Sequence, residues 1–296
     1  MAATAAGALM QRAAYGLASS CLRLLSAARG GIVGSTVVLL VGAGNNGGDT
    51  LWAGSMLARR GCRVVAVQLS SSIHAEGLAA LRAANGRLID VTDESGVPAA
   101  IQVMRGADLV LDGIVGIGGK GPLREPAATL ARAARTTEAI RVAVDIPSGV
   151  DPDTGIVDDA ERVFAADATV TFGCLKTGLL AAPGRHYAGA VEVVDIGLTA
   201  YLTPTPHVRA VQASDVRIYL SRPGPSDHKY SRGVVGVVAG SRGYPGAAHL
   251  AVGGARRSGV GMVRILDRED GVAEAVIGRF PDVVRQTEDP GSDPRV

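Results

Sequence analysis

Short apolar runs that end at glycine or aspartate recur along the first two thirds of the chain. Thr36–Val41 is the longest of them and leads directly into a glycine-rich segment. Because strands buried on both faces of a sheet read as unbroken apolar runs, it predicts a central parallel strand. The same pattern predicts further strands at 63–69, 88–90, 108–111, 141–144, 168–172 and 191–194.

Stretches with helical spacing separate these strands. Apolar residues at intervals of three and four predict helices near 49–60, 74–85, 97–105 and 125–136. Alternating strands and helices are typical of βαβ units. The predicted fold class is therefore α/β, with a doubly wound, mostly parallel sheet.

The amino-terminal region allows two interpretations. No acidic residue precedes Asp49, and arginines interrupt a sequence rich in alanine and serine. This composition fits a mitochondrial transit peptide or an ordinary amphipathic helix. We favour the helix because apolar residues follow helical spacing at Met10, Ala14, Leu17, Cys21 and Leu24.

The composition changes after residue 200. Proline-rich segments at 203–206 and 222–225 enclose a short helix-like stretch, which is typical of a linker. We therefore predict a first domain at 1–202, a linker at 203–226 and a carboxyl-terminal segment at 227–296.

That last segment has the pattern of one βαβ unit. Its predicted elements are a strand at 233–239, a helix at 245–258 and a strand at 261–266. A lone βαβ unit buries too little surface to be stable. We expect it to dock on the first domain, to pair with another chain, or to begin a larger domain.

Charge and composition exclude several classes of partner. The net charge is +2 and aromatic residues make up 3%, so neither a basic surface nor stacking platforms for nucleic acid are expected. No apolar run reaches the roughly 18 residues that cross a membrane. The three cysteines are far apart and form no CxxC pair, which argues against a disulfide framework or a zinc site and favours a reducing, cytoplasmic location.

Candidate chemistry begins at the end of the first strand, in Gly42–Asp49. Its sequence GAGNNGGD fits GxGxxG, in which glycines let backbone N–H groups approach a phosphate at a helix N-terminus. A dinucleotide dehydrogenase would carry an acid after the second strand, but Gln68 and Leu69 stand there. The structural alternative is a capped turn with Asp49 as the helix N-cap.

Two further clusters follow predicted strands. Asp112 precedes a glycine loop at 116–122, and a partly desolvated carboxyl at a strand end can act as a general acid or base. Asp145 and Ser148 follow the strand at 141–144, and the oxygens of Ser148 and of nearby carbonyls suit K⁺, Ca²⁺ or Mg²⁺. The alternatives are solvated loop residues. Because three clusters share one sheet edge, we interpret the edge as a site.

Together these motifs resemble the NAD(P)H-hydrate epimerase family. The similarity is carried by Gly44–Asp49, by Gly116–Gly118 and by Val144–Gly149, together with Val170–Gly173, Lys176 and Val194–Leu198. The resemblance implies a Rossmann-like fold that acts on the R and S hydrates of the reduced nicotinamide cofactors, NADHX and NADPHX. Thr50 departs from the family pattern, which usually has Gly or Ala there.

The resemblance also implies roles for individual residues. Asp112 would be the catalytic acid–base group, and K⁺ would be held by Asn46, Asp112 and Ser148. The hydrate would be bound by the strand-end residues Asn45, Asn46, Gly47, Gly48, Asp49, Gly116, Ile117, Gly118, Gly119, Lys120, Gly121, Pro122 and Asp145. Lys176 follows another strand and is a weaker candidate for the same edge.

The segment 227–266 resembles the opening of the ribokinase-like NAD(P)H-hydrate dehydratase domain. Lys229–Gly233 and Tyr244–Ala248 carry this similarity. No later GGSGD segment follows, so we expect dehydratase activity to be absent. The alternatives to an epimerase are an inactive or binding-only remnant of a bifunctional protein and, with less support, an NAD-dependent dehydrogenase. The resemblance leaves a homodimer open.

Overall fold

The computed structural model describes residues 7–202, 205–206, 208–219, 222–266 and 271–287. The chain forms two compact units, Met1–Arg209 and Ala210–Val296. The boundary between them falls inside the predicted linker.

The first unit is an α/β fold built on a seven-stranded sheet in the described residues. Its strands are β1 Thr36–Val41, β2 Arg63–Gln68, β3 Arg87–Asp90, β4 Leu109–Gly113, β5 Ile140–Val144, β6 Ala168–Phe172 and β7 Ala190–Val194. Its described α-helices are α1 Ala8–Arg29, α2 Gly44–Arg59, α3 Ala75–Ala83, α4 Val97–Arg105 and α5 Ala127–Arg135. The predicted strands and the α/β class are confirmed.

The order of the strands in the sheet determines where a ligand site can lie. The seven strands are all parallel and run in the order β3-β2-β1-β4-β5-β6-β7. The chain order reverses between β1 and β4, where Leu40 pairs with Asp112 and Val41 with Gly113. In open α/β sheets the connections diverge at such a point and leave a crevice at the carboxyl ends of the strands.

Strand β1 is buried on both faces, as its sequence predicts. Val37, Leu39 and Val41 belong to one apolar cluster, and Val38 and Leu40 to another. Because successive side chains of a strand point to opposite faces, the two clusters are the helix layers on either side of the sheet. The sheet is therefore a rigid support for the loops at its edge.

The amino-terminal segment is a helix, and this prediction is confirmed. Ala14, Leu17, Cys21 and Leu25 of α1 are fully buried. They belong to the same apolar cluster as β1 and α2. Burying this stripe fixes α1 against the sheet at the side where the site lies.

Helix α2 begins at Gly44, five residues before the predicted start. Ala43 is its N-cap and makes no side-chain cap hydrogen bond, so Asp49 is an interior helical residue and the N-cap interpretation is wrong. The early start needs a residue without a side chain at position 47. A Cβ there would lie 3.2 Å from the carbonyl carbon of Gly42. The glycine-rich segment is therefore the first turn of the helix itself.

The second unit contains more than the predicted βαβ unit. Its described elements are α6 Ala213–Tyr219, β8 Val234–Val237, α7 Gly246–Arg257, β9 Met262–Leu266, α8 Val272–Arg279 and β10 Val284–Gln286. The strands form a parallel sheet in the order β10-β9-β8. The single βαβ prediction missed α8 and β10, whose short patterns are interrupted by charged residues. Val252, Ile265 and Val276 lie in the apolar core that supports this second crossover.

Candidate functional site

A cavity of about 1190 Å³ lies at the carboxyl edge of the seven-stranded sheet. Its wall is formed where the ends of β1, β4 and β5 lead into loops. Most of the residues predicted from sequence to bind a ligand line it: Asn45, Asn46, Asp49, the loop 116–122, Asp145 and Ser148. The topology therefore brings together all three sequence clusters.

Three predicted site residues do not line this cavity. Gly47 and Gly48 lie inside α2, where they permit close packing. A Cβ at Gly48 would lie 3.0 Å from the ring of His74. Asp112 lies at the end of β4 and is fully buried. Its carboxylate is hydrogen-bonded to Ser148, which lines the cavity.

Asp112 and Ser148 form a buried bridge between the loops after β4 and β5. The Asp112 carboxylate accepts hydrogen bonds from the Ser148 hydroxyl at 2.7 Å and from the Ser148 backbone N–H at 2.8 Å. It also accepts one from the Ile114 N–H at 3.2 Å. Burial raises the pKa of Asp112 to about 6, and the bonds from Ser148 and Ile114 oppose that rise.

The Ser148 hydroxyl extends this bridge to the loop after β4. It accepts a hydrogen bond from the Val115 N–H at 3.0 Å and lies 3.2 Å from the Val115 carbonyl oxygen. Asn46 faces the next residue, Gly116, where a Cβ would lie 3.2 Å from the Asn46 amide oxygen. The residues named for K⁺ therefore present hydroxyl, amide and carboxylate oxygens in one neighbourhood, beside the Val115 carbonyl oxygen. This is a hard donor set that fits an alkali cation.

Among the described residues, no group of three or more His, Cys, Asp and Glu side chains lies close enough together to hold a metal ion. None of the helices in the described part of the chain is long and apolar enough to cross a membrane.

Asp145 and Lys176 form a largely buried ion pair on the cavity wall. The Lys176 ammonium donates to the Asp145 Oδ1 at 2.5 Å, to the Thr171 hydroxyl at 2.9 Å and to the Phe172 carbonyl at 2.8 Å. The Lys176 side chain is only 14% exposed and the Asp145 side chain only 11%. Asp145 has a φ of +68°, a conformation that aspartate and asparagine tolerate better than most residues. The pair fixes Asp145 at the sharp turn after β5.

Asp49 is an acid on the cavity wall whose charge has no partner among the described residues. Its residue surface is 8% exposed, and its Oδ1 is buried without a hydrogen bond. Burial, and then the nearby charge of Asp145, raise the pKa of Asp49 to about 7. At neutral pH this carboxyl is therefore present in both its protonated and its ionised form.

Asp49→Asn is expected to stabilise the protein at pH 8 and not at pH 4. In the folded protein the pKa of the Asp49 carboxyl is raised from 3.8 to about 7. Between these two pH values the folded state binds the proton more tightly than the unfolded state does, so the free energy of unfolding falls as pH rises through this range. At about 1.4 kcal/mol per pK unit, less the cost of an unpaired amide, the gain at pH 8 is roughly 1–3 kcal/mol.

Urea unfolding of the two proteins at several pH values measures this gain. The exposed Asp153→Asn is the matched control for an Asp-to-Asn change at the surface, and the gain of Asp49→Asn at pH 8 should exceed any that it shows. If the free energy of unfolding depends on pH in the same way in Asp49→Asn and in the parent protein, the pKa of Asp49 is not raised in the folded state.

Lys176, a weaker candidate from sequence, lies on the cavity wall, and several other lining residues were not predicted. Leu9, Met10 and Ala13 of α1 also line the wall. Their spacing predicts an apolar helix face. The sequence pattern is the same whether such a face packs against the core or borders a cavity. Leu69 and Ser70, at the end of β2, complete that side.

Thr50, which departs from the pattern of the resembled family, is fully buried beside the site. Its hydroxyl donates to the carbonyl of Asn46 at 2.7 Å. Its bulk is accommodated because Gly113 has no side chain. A Cβ there would lie 2.7 Å from the Thr50 Cβ. The threonine thus fits the local packing and ties the first turn of α2 to the next.

Comparison with known proteins identifies the family. The profile of the family described as YjeF-related protein N-terminus matches residues 6–178, more than half of the chain. The chain belongs to this family. A second profile, described as NAD(P)H-hydrate dehydratase, matches residues 235–289.

Curated relatives carry names that agree with these profiles. The chain is 42% identical over 281 residues to the bifunctional NAD(P)H-hydrate repair enzyme Nnr of Mycobacterium leprae, covering 94% of this chain and 54% of that protein. It is 43% identical over 217 residues to the NAD(P)H-hydrate epimerase of Clavibacter michiganensis, covering 70% of this chain and 90% of that protein. The chain therefore spans about half the length of the repair enzymes it matches.

A solved structure supports the fold. The crystal structure of the yeast protein ynu0 matches with a TM-score of 0.52 and 21% identity, covering 62% of this chain and 76% of that one. At this level of identity the match shows the fold alone. The Rossmann-like class is confirmed by it and by the observed strand order.

Proposed function

We propose that this protein interconverts the R and S forms of NAD(P)H hydrate. The observation that carries the proposal is one cavity in which three sequence clusters of the family converge, namely the first turn of α2, the loop 116–122 and Asp145. The relative from Clavibacter michiganensis, which this chain covers almost completely, is named for this activity.

The chain's own residues suit a nucleotide ligand. Helix α2 starts at the cavity without a side-chain cap, so its first N–H groups are free to bind a phosphate. Glycines in the loop 116–122 let the backbone approach the ligand closely, and the exposed Lys120 lies on the same wall. Asp145, held by Lys176, offers a fixed acceptor on the wall of the same crevice.

We further propose that Asn46, Asp112 and Ser148 hold K⁺ behind this wall. When bound, the ion would supply positive charge between the loops after β4 and β5. Asp112 would contribute its carboxylate, Ser148 its hydroxyl and Asn46 its amide oxygen. The sequence-based role of Asp112 in proton transfer stays a prediction, and its burial and its three hydrogen bonds favour the ion-holding role.

Other expectations from sequence stay predictions. They are a cytoplasmic location, a homodimer, no nucleic-acid or membrane partner, and no dehydratase activity in this chain. The described cysteines are free thiols, which agrees with a reducing compartment. The family assignment leaves the binding-only alternative to experiment.

A coupled assay tests the proposed activity. Both hydrate epimers are mixed with a separate S-specific dehydratase and its nucleotide in K⁺ buffer, and the return of the reduced-cofactor absorbance is followed. We expect the slow phase from the R epimer to become fast when this protein is added. A folded protein that leaves the slow phase at its spontaneous rate would support the binding-only alternative. An arm without dehydratase tests the expected absence of that activity.

A further inference from the structure

The acids at the cavity differ in what holds their negative charge. Asp145 accepts from Lys176, Thr171 and the Phe172 N–H. Glu125 accepts from Thr129 and Arg132, which lower its pKa. Asp112 does not line the cavity, and its carboxylate accepts three hydrogen bonds. Asp49 lines the wall and makes no hydrogen bond or ion pair with any described residue.

This contrast separates the roles that acids can have. A carboxylate that accepts hydrogen bonds from several donors, one of them a lysine, is held in place and serves as a fixed acceptor. A carboxyl that is buried, unpartnered and open to a ligand cavity can gain and lose a proton when a ligand arrives. Asp145 has the first environment and Asp49 the second, on the same cavity wall.

We propose that Asp49 is the acid–base group of the site, and that Asp112 serves only to hold the loops and the ion. This inference rests on the proposed function, because it assigns the proton transfer of that reaction. The epimers differ at a ring carbon that bears a hydroxyl and is bonded to the ring nitrogen. A group that protonates this hydroxyl and later deprotonates a water serves both directions of the reaction.

The proposed step conserves atoms and electrons. Protonated Asp49 gives its proton to the hydroxyl, the C–O bond breaks with its electron pair on oxygen, and the nitrogen lone pair forms a C=N⁺ bond as water leaves. Water then adds to the other face of the ring, and the C=N⁺ electron pair returns to nitrogen. The Asp49 carboxylate takes up the released proton, which restores the starting state.

The pKa of Asp49 agrees with an acid–base role. A general acid–base group is most effective when its pKa is close to the working pH, and that of Asp49 is about 7. Since the cycle starts from protonated Asp49, the rate should fall as pH rises above about 7. The other titratable or charged groups that line the cavity or pack against this turn of α2 are Lys120, Arg124, Glu125, Asp145, Lys176 and His74.

Kinetics of two variants in K⁺ buffer test the proposal. We expect Asp49→Asn to lower kcat by about 10²–10⁴-fold with little change in KM, because it keeps shape and loses the proton. The fall in rate above pH 7 should also disappear. In Asp49→Ala, added formate should restore part of the rate, which a purely structural role would not produce.

Asp112→Asn is the comparison variant. We expect it to raise the K⁺ concentration needed for half-maximal rate, while the pH profile above 7 is kept. If Asp49→Asn stays within a few-fold of the parent while Asp112→Asn loses 10²-fold or more and the pH dependence, the proposal is overturned.

The failure of this inference can be told apart from failure of the proposed function. If the parent protein does not epimerise, the proposed function fails and Asp49 has no such reaction to serve. If the parent is active and the folded Asp49→Asn is equally active, only the present inference fails. A carboxyl ¹³C NMR titration of the ligand-free protein checks the proton directly. A signal that titrates near pH 7 and is missing in Asp49→Asn supports the proposal, and a signal that titrates near pH 4 contradicts it.

Discussion

Replacing Lys176 with methionine is expected to lower the free energy of unfolding by about 3–5 kcal/mol. The reason is the position of Asp145, which is buried on the cavity wall and whose ion pair is with Lys176. Methionine has a similar volume, so the packing is largely kept and the unpaired carboxylate dominates the cost. The Thr171 hydroxyl and the Phe172 carbonyl also lose their donor.

Two variants make this prediction specific. In the double variant Asp145→Asn with Lys176→Met, the charge is removed together with its partner, so most of the loss should be recovered. Asparagine also tolerates the positive φ at position 145. Arg23→Met breaks an ion pair with Glu192 in which both side chains are about half exposed, and should cost at most about 1 kcal/mol.

Urea denaturation at pH 7 measures all three variants. If Lys176→Met costs no more than Arg23→Met, the Asp145–Lys176 pair is not the buried anchor described. If the double variant is as unstable as the single one, the cost comes from lost packing and not from the unpaired charge.

Gly42→Ala is the second change with a large expected effect. A Cβ at position 42 would collide with the carbonyl of Ile114, lying 2.7 Å from its carbonyl carbon. Both groups are backbone at the end of the paired strands β1 and β4, so neither can move as a side chain could. The Gly42 N–H also donates to the Gly113 carbonyl at 3.1 Å.

We expect Gly42→Ala to destabilise the protein by about 3 kcal/mol or more, at the upper end of the range for overpacking. It should also separate the start of α2 from the loop after β4, which are two walls of the cavity. Gly118→Ala is the matched control, because a Cβ there would meet no atom within 4 Å. Equal denaturant midpoints for the two variants would contradict the close approach of β1 and β4.

The sheet was predictable because its strands are set by local apolar runs. TVVLLV and its counterparts are buried on both faces, and the chain needs no distant information to mark them. The crevice was also predictable, since parallel strands that alternate with helices place their carboxyl ends together. Asn45, Asn46, Asp49 and Asp145 were therefore found as wall residues.

Features that depend on tertiary contacts were not predictable. The early start of α2 depends on the distance between Gly47 and the Gly42 carbonyl, which no local pattern encodes. The role of Lys176 depends on the conformation of the loop after β6, which brings the Lys176 ammonium group to the Asp145 carboxylate. Asp112 and Asp49 both follow a strand in sequence, yet only the structure separates the hydrogen-bonded acid from the unpartnered one.

The most direct test of the central claim starts from the purified S hydrate alone. It is incubated with this protein in K⁺ buffer without dehydratase, and the two epimers are separated by chromatography over time. The account predicts that the R epimer appears far faster than in the blank, and that the mixture reaches the same ratio when the reaction starts from R. Folded protein that leaves the S epimer unchanged relative to the blank would contradict the account.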